Sequence, residues 1–201
     1  MLLPRGNMTR LMALVSLAIA LAISFTACSA ASGTISPQNA DAPAKEDNSK
    51  QATDFPISVY QGAALLGGQE TTLRKALAQG KPMVLNFWAG QCPPCRAEMP
   101  DFQAMSEQYK DRILVFGLDI GPFVQLGTRE DGQALLKELK VFYPAGTTFD
   151  PEVVRAYGVL GMPTTLLITP GGKIVRKQIG VMLKSQIDPF IQELLEASEK
   201  S

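Results

Sequence analysis

The stretch from Met83 to Pro100 constrains the fold more than any other part of the chain. Met83-Val84-Leu85-Asn86-Phe87-Trp88 is an apolar run broken only by Asn86, the length and character of a strand buried on both faces. After Ala89-Gly90-Gln91 comes Cys92-Pro93-Pro94-Cys95, and Met99, Phe102, Met105 and Tyr109 then fall on one stripe. That spacing predicts a helix over Pro93–Lys110. Cys92 therefore lies at a helix N-terminus, where unpaired backbone N–H groups and the macrodipole favour an anion. The anion in question is a thiolate, the form that attacks disulfides and binds metals. Pro93 suits the first helical position because its missing N–H costs nothing there. Cys95 follows about one turn later, within disulfide reach of Cys92. Pro100 removes a backbone donor inside the same helix and predicts a kink.

The remaining pattern supplies a sheet for that strand. Ile57–Leu66 reads as a short strand, Thr72–Gln79 as a helix closed by Gly80, and Arg112–Ile120 as a second buried strand. Helices are expected over Glu130–Leu139, Pro151–Tyr157 and Ser185–Ala197. Thr164–Thr169 and Lys173–Ile179 flank Pro170-Gly171-Gly172, a hairpin signal. Strand-helix-strand units imply parallel pairing and the hairpin adds an antiparallel edge. The expected class is α/β: one domain over 55–201, a mixed central sheet with helices on both faces.

Composition removes several chemistries. The chain has no histidine, which excludes Ser-His-Asp and Cys-His catalysis and His-ligated metal sites. Lys+Arg and Asp+Glu each total 19 with no basic cluster, so no nucleic-acid surface is expected. Only three cysteines are present, a singleton at Cys28 and the pair Cys92/Cys95. For that pair, redox exchange competes with two blander readings. A structural zinc or copper site would have half a tetrahedral shell and need a partner for the rest. An inert disulfide across so short a loop would constrain little of the unfolded chain. No metal and no cofactor is expected.

The N-terminal segment reads as an address. Arg5 and Arg10 precede an apolar run from Leu11 to Ile23, then Ser24-Phe25-Thr26-Ala27-Cys28, the basic, apolar, small-residue order of a secretory signal. Phe25-Thr26-Ala27-Cys28 resembles a bacterial lipoprotein box, with Phe25 in place of the usual Leu; this makes Cys28 a candidate lipid anchor. Ordinary cleavage among the small residues from Ala27 to Ala31, or retention as an uncleaved anchor, are the other readings, and all three export the domain. Residues 29–54 are polar, with Ile35 their only large apolar side chain, and read as a disordered tether. The expected location is the extracytoplasmic face of a bacterial cell membrane.

Four segments together resemble the thioredoxin-like family, in its exported, membrane-anchored thiol:disulfide reductase branch (TlpA-like, redoxin). They are Val84 to Ala89, Cys92 to Pro100, Tyr157-Gly158-Val159 and Gly161-Met162-Pro163-Thr164-Thr165. The resemblance implies a thioredoxin fold and protein disulfide reduction, with Cys92 as the attacking and Cys95 as the resolving cysteine. It implies a cis Met162–Pro163 bond facing them, with Trp88, Gln91, Met162 and Pro163 around the bound polypeptide. Glu98, three residues after Cys95, is the candidate proton-handling group; its other reading is a first-turn acid favouring the helix dipole. The implied partners are protein disulfide or dithiol substrates, with service to apocytochrome c maturation among them, and a membrane electron donor of thiol type.

Two positions depart from the family pattern. Gln91 replaces the Trp that many thioredoxins carry before the first cysteine, which predicts a less apolar, more selective rim. Asn86 stands where thioredoxin has a buried acid; because Asn cannot titrate, proton handling falls to Glu98 or water. A peroxide-reducing redoxin is the nearest rival function, but such proteins need Thr or Ser where Ala89 stands. A copper-binding thioredoxin-fold lipoprotein is the other rival, and it would use CxxxC with a distant histidine.

Overall fold

The computed structural model describes residues 51–200. The expected signal segment, the anchor Cys28 and the tether up to residue 50 lie outside the described residues. The last four residues assigned to the tether instead belong to the domain. Gln51 bridges Lys173 across an antiparallel pair, and the Ala52 N–H donates to the Gly172 carbonyl at 2.8 Å. Asp54 accepts from the Arg74 N–H at 2.8 Å. Composition missed this because backbone hydrogen bonds hold the segment, with little apolar burial.

Among the described residues, seven strands form one mixed sheet. In chain order they are β1 (Pro56–Gln61), β2 (Glu70–Thr72), β3 (Met83–Trp88), β4 (Leu114–Asp119), β5 (Ala145–Thr147), β6 (Thr164–Ile168) and β7 (Ile174–Ile179). Across the sheet they run β2-β1-β5-β4-β3-β6-β7. β3, β4 and β5 are parallel; β6 pairs antiparallel with β3, and β7 antiparallel with β6, as the Gly171-Gly172 turn predicted. Gly172 takes φ 87°, a left-handed conformation that favours glycine. The short strand expected within Ile57–Leu66 is β1, which ends at Gln61 where Gly62 turns the chain into the short helix α1 (Ala63–Leu66).

The remaining helices are α2 (Leu73–Leu77), α3 (Pro93–Gln108), α4 (Gly121–Val124), α5 (Arg129–Glu138), α6 (Glu152–Ala156) and α7 (Lys184–Ser198). β3 alternates between the two cores. Val84 and Trp88 point into a cluster with Met99 and Phe102 of α3, Leu135 of α5 and Ile191 of α7. Met83, Leu85 and Phe87 point the other way, against Leu66 of α1, Leu73 of α2 and Val153 of α6. Helices therefore cover both faces, and both apolar halves of β3 are buried, which is why its sequence reads as nearly unbroken hydrophobe. α3 continues through Pro100, whose side chain faces outward.

Candidate active site

Chain connectivity alone puts a cysteine just beyond the end of an interior strand. β3 ends at Trp88, the loop Ala89–Gln91 turns, and Cys92 becomes the N-cap of α3. Pro93 and Pro94 contribute no N–H, so the first helical donor available is that of Cys95, and it points at Cys92 Sγ from 3.3 Å. The two cysteines are joined as a disulfide with Cα atoms 5.3 Å apart. Cys92 keeps only 3% of its surface open and Cys95 none, so an incoming thiolate meets Cys92 first. The opening is narrow, flanked by the exposed Gln91, Pro93 and Pro94.

Register brings the distant Met162 and Pro163 to the same place. β6 pairs Thr164 with Phe87, so Pro163 arrives beside the end of β3 where the cysteine loop begins. The Met162–Pro163 bond is cis, as the resemblance implied. Met162 packs against the apolar cluster that contains both cysteines. Gln91 is held from behind: its N–H donates to the Leu126 carbonyl at 2.8 Å and its Nε2 to Asp131 Oδ2 at 3.1 Å. Of the expected rim residues Gln91 is exposed and Met162 half-buried, whereas Pro163 and Trp88 are buried. The Trp88 indole is wholly buried, because it faces the sheet side under α3 and lies over Gly117, so it supports the site and offers no surface to a polypeptide.

Glu98 lies on the buried side of α3, 1% exposed. Its Oε1 accepts from Asn86 Nδ2 at 2.8 Å and its Oε2 from the Met182 N–H at 2.9 Å. Burial raises its pKa to about 7, against the opposing pull of these two donors. An exposed first-turn acid favouring the dipole would be neither buried nor raised in this way. Asn86 Nδ2 also donates to Thr165 Oγ1 at 3.1 Å, tying β3, α3 and β6 together at one amide.

A second buried carboxyl escaped the sequence reading. Asp119, at the end of β4 and directly opposite Trp88 in register, is fully buried. Its Oδ1 accepts from the Gly121 N–H at 2.9 Å and its Oδ2 from the Tyr60 hydroxyl at 3.1 Å. Burial raises its pKa to about 6. Tyr60 in turn is pushed up to about 12, first by its own burial and then by the Asp119 charge. The sequence held one signal, an acid ending an otherwise apolar strand run. Beside Tyr60, a cavity of about 540 Å³ lined also by Arg129, Lys137 and Lys140 includes neither cysteine. Among the described residues no three acidic or cysteine side chains gather as metal ligands.

A disulfide across the first turn of a helix, beside a cis-proline loop on a mixed sheet, defines the thioredoxin-fold class. The AhpC/TSA family model matches residues 49–177, and the chain belongs to that family of thioredoxin-like redoxins. It is similar to the thiol-disulfide oxidoreductase ResA of Bacillus subtilis, 35% identical over 126 residues, 61% of this chain and 66% of the relative. ResA of Bacillus thuringiensis subsp. konkukian is 29% identical over 119 residues, 58% of this chain; the match spans 65% of that relative's length. A solved structure assigned to the thiol:disulfide interchange protein DsbE of Chlorobium tepidum superposes with a TM-score of 0.60 at 26% identity, covering 76% of this chain and 98% of that one.

Proposed function

We propose that the protein is an exported thiol:disulfide oxidoreductase that reduces protein disulfides through Cys92 and Cys95. The observation that carries this reading is the Cys92 sulfur capping α3 with its disulfide partner one turn away and wholly buried. In the reduced protein the Cys92 thiolate attacks one sulfur of a substrate disulfide, forming a mixed disulfide and expelling the other substrate thiolate. Glu98 takes the proton of the buried Cys95 thiol. The Cys95 thiolate then attacks Cys92 Sγ, releasing the second substrate thiolate and leaving the disulfide seen here. A carboxyl with a pKa near 7 suits that transfer, since a base works best when its pKa lies near the working pH. Met162 and Pro163 form the wall against which the substrate backbone lies, with Gln91 at the rim.

Cys95 N–H is the only first-turn donor aimed at Cys92 Sγ, because Pro93 and Pro94 have none. A sparsely stabilised thiolate favours the disulfide, which makes the reduced protein an electron donor. Similarity to ResA relatives supports the same assignment. The export signal and the lipobox-like Cys28 support attachment at the extracytoplasmic membrane face, with recharging by a thiol-type membrane donor. Ala89 carries no hydroxyl for a peroxidatic site, and the copper reading lacks both the CxxxC spacing and a histidine. The Cys92/Cys95 potential in glutathione buffers tests the direction: a value toward about −270 mV supports a reductase, and one near −120 mV makes the protein an oxidant.

A further inference from the structure

Arg129, Lys137 and Lys140 form no basic run in the sequence, yet the fold brings them to one place. They line the cavity of about 540 Å³ that has β1 on one side and α5 on the other, a volume in the range of ligand sites. No Asp or Glu lines it. α5 sorts its charges: Asp131 accepts from Gln91 and Glu138 pairs with Arg96, and neither acid faces the cavity. Two acids do bear on Arg129. Asp119 feels its charge from behind Tyr60, and Glu70 is joined to it through the Ser58 hydroxyl by bonds of 3.4 and 2.8 Å. Among the described residues Lys137 and Lys140 have no ion-pair partner.

Two of the three cations stand where local physics disfavours them. Arg129 is the first residue of α5, at the positive end of the helix dipole. It is held there with its guanidinium 4.3 Å from the Phe149 ring centre and 5.9 Å from that of Tyr60. Lys140 follows the C-cap Leu139 at φ 53°, the left-handed position on which helices ordinarily place glycine. The Val141 N–H, donating to the Leu136 carbonyl at 2.9 Å, fixes it in that conformation. Breaks of local preference concentrate at functional sites, and both of these carry positive charge into one cavity.

We propose that this cavity is a docking groove for an acidic, extended segment of a partner polypeptide. Arg129 and Lys137 lie about 12 Å apart along the axis of α5, too far for one small anion to bridge. An extended chain covers that length in about four residues and turns alternate side chains to the same face. Its carboxylates meet the cations, which have only donors to offer. Its apolar side chains meet Leu136 on the floor and Phe142, 73% exposed, at the Lys140 end. A flat lipid surface could reach the lysines but not Leu136, which is 3% exposed. The groove contains neither cysteine, so the proposal goes beyond the reductase reading and does not depend on it.

The test uses the full-length chain in its disulfide form and a fluorescein-labelled oligoglutamate peptide, with binding read by anisotropy. Affinity should fall as salt is added, and an oligoglutamine peptide should not bind. Lys137→Gln/Lys140→Gln should weaken binding about tenfold. Lys75→Gln/Lys200→Gln, which removes the same charge at exposed sites outside the cavity, should leave it unchanged. Lys140→Gly separates docking from folding: it should raise the urea midpoint, because glycine accepts the left-handed backbone, while lowering affinity. Absence of peptide binding overturns the proposal, as does an equal loss in the two double variants. So does Lys140→Gly affinity that stays at the wild-type value or falls only together with stability. Binding of inorganic phosphate or of phosphatidylglycerol vesicles without binding of the peptide also overturns it.

Discussion

Asn86 and Glu98, twelve positions apart, are joined by a 2.8 Å hydrogen bond from an amide that cannot titrate to a carboxyl that does so near neutrality. The bond moves the site's titratable group from the strand, where thioredoxin keeps its acid, to the helix that carries the cysteines. On α3 the carboxyl lies one turn from the sulfur that must lose a proton.

That placement has a stability signature. The unfolded chain ionises Glu98 near 4.5, whereas the folded protein holds its proton until about 7. Between those values the unfolded state binds fewer protons, so stability falls as pH rises and levels off above the folded pKa. The total loss is of the order of 3 kcal/mol. Glu98→Gln should flatten the profile between those limits, as measured by urea unfolding at a series of pH values. A slope equal to that of the wild type would show that Glu98 does not titrate late.

Asp119 predicts a second, more acidic window that overlaps the first. Its carboxyl moves from 3.8 to about 6 on folding, so its share of the pH-dependent loss should be complete near pH 6. Asp119→Asn should remove its share of the slope between 3.8 and about 6 and leave the Glu98 share, which runs from 4.5 to about 7. Tyr60→Phe, by deleting a donor to the carboxylate, should raise the Asp119 midpoint further and cost about 1 kcal/mol. Carbon-13 carboxyl chemical shifts would follow both groups directly.

Gly132 is where the fold makes room for that buried acid. A Cβ there would lie 2.2 Å from Asp119 Oδ2 and 2.9 Å from its Cγ. Gly132→Ala should therefore destabilise the protein by about 1–3 kcal/mol, read from the urea midpoint, because the buried Asp119 carboxyl must move. Equal stability would mean that the Asp119 pocket is slack.

Gly90 tests the seating of the cysteine loop. A Cβ at this position would meet the Asp131 carbonyl carbon and the Gly132 nitrogen, each at 2.6 Å, and backbone cannot yield as a flexible side chain does. Gly90→Ala should push the loop off the start of α5 and break the Gln91–Asp131 contact. Disulfide formation should survive while turnover with a protein substrate falls by about tenfold, equivalent to roughly 1.4 kcal/mol of transition-state stabilisation. Turnover equal to the wild type would show that the rim need not be anchored.

Much of this site was legible because it is local. The β3 run, the proline-flanked cysteine pair and the Gly171-Gly172 hairpin each declare themselves within a few residues. The cis bond at Met162–Pro163 was legible only through resemblance. What escaped the reading depends on the tertiary fold. β2 and β5 have three residues each, too few for periodicity to register, and Ala145-Gly146-Thr147 has no strand-like composition. The Met182 amide that serves Glu98 comes from 84 positions away, and nothing in its neighbourhood marks it. The resemblance puts Trp88 at the rim, but the alternation of β3 turns it inward. Asn86 was visible as a polar break in an apolar run; its partner was not.

The central claim is that Cys92 attacks and Cys95 resolves. It is tested most directly by trapping: full-length Cys95→Ser and Cys92→Ser are each reduced, mixed with a protein carrying an exposed disulfide, quenched in acid and resolved by mass. Cys95→Ser should accumulate a mixed disulfide through Cys92, and Cys92→Ser should accumulate none. Adduct on Cys95 in the second variant, or undiminished catalytic turnover by either, would contradict the account.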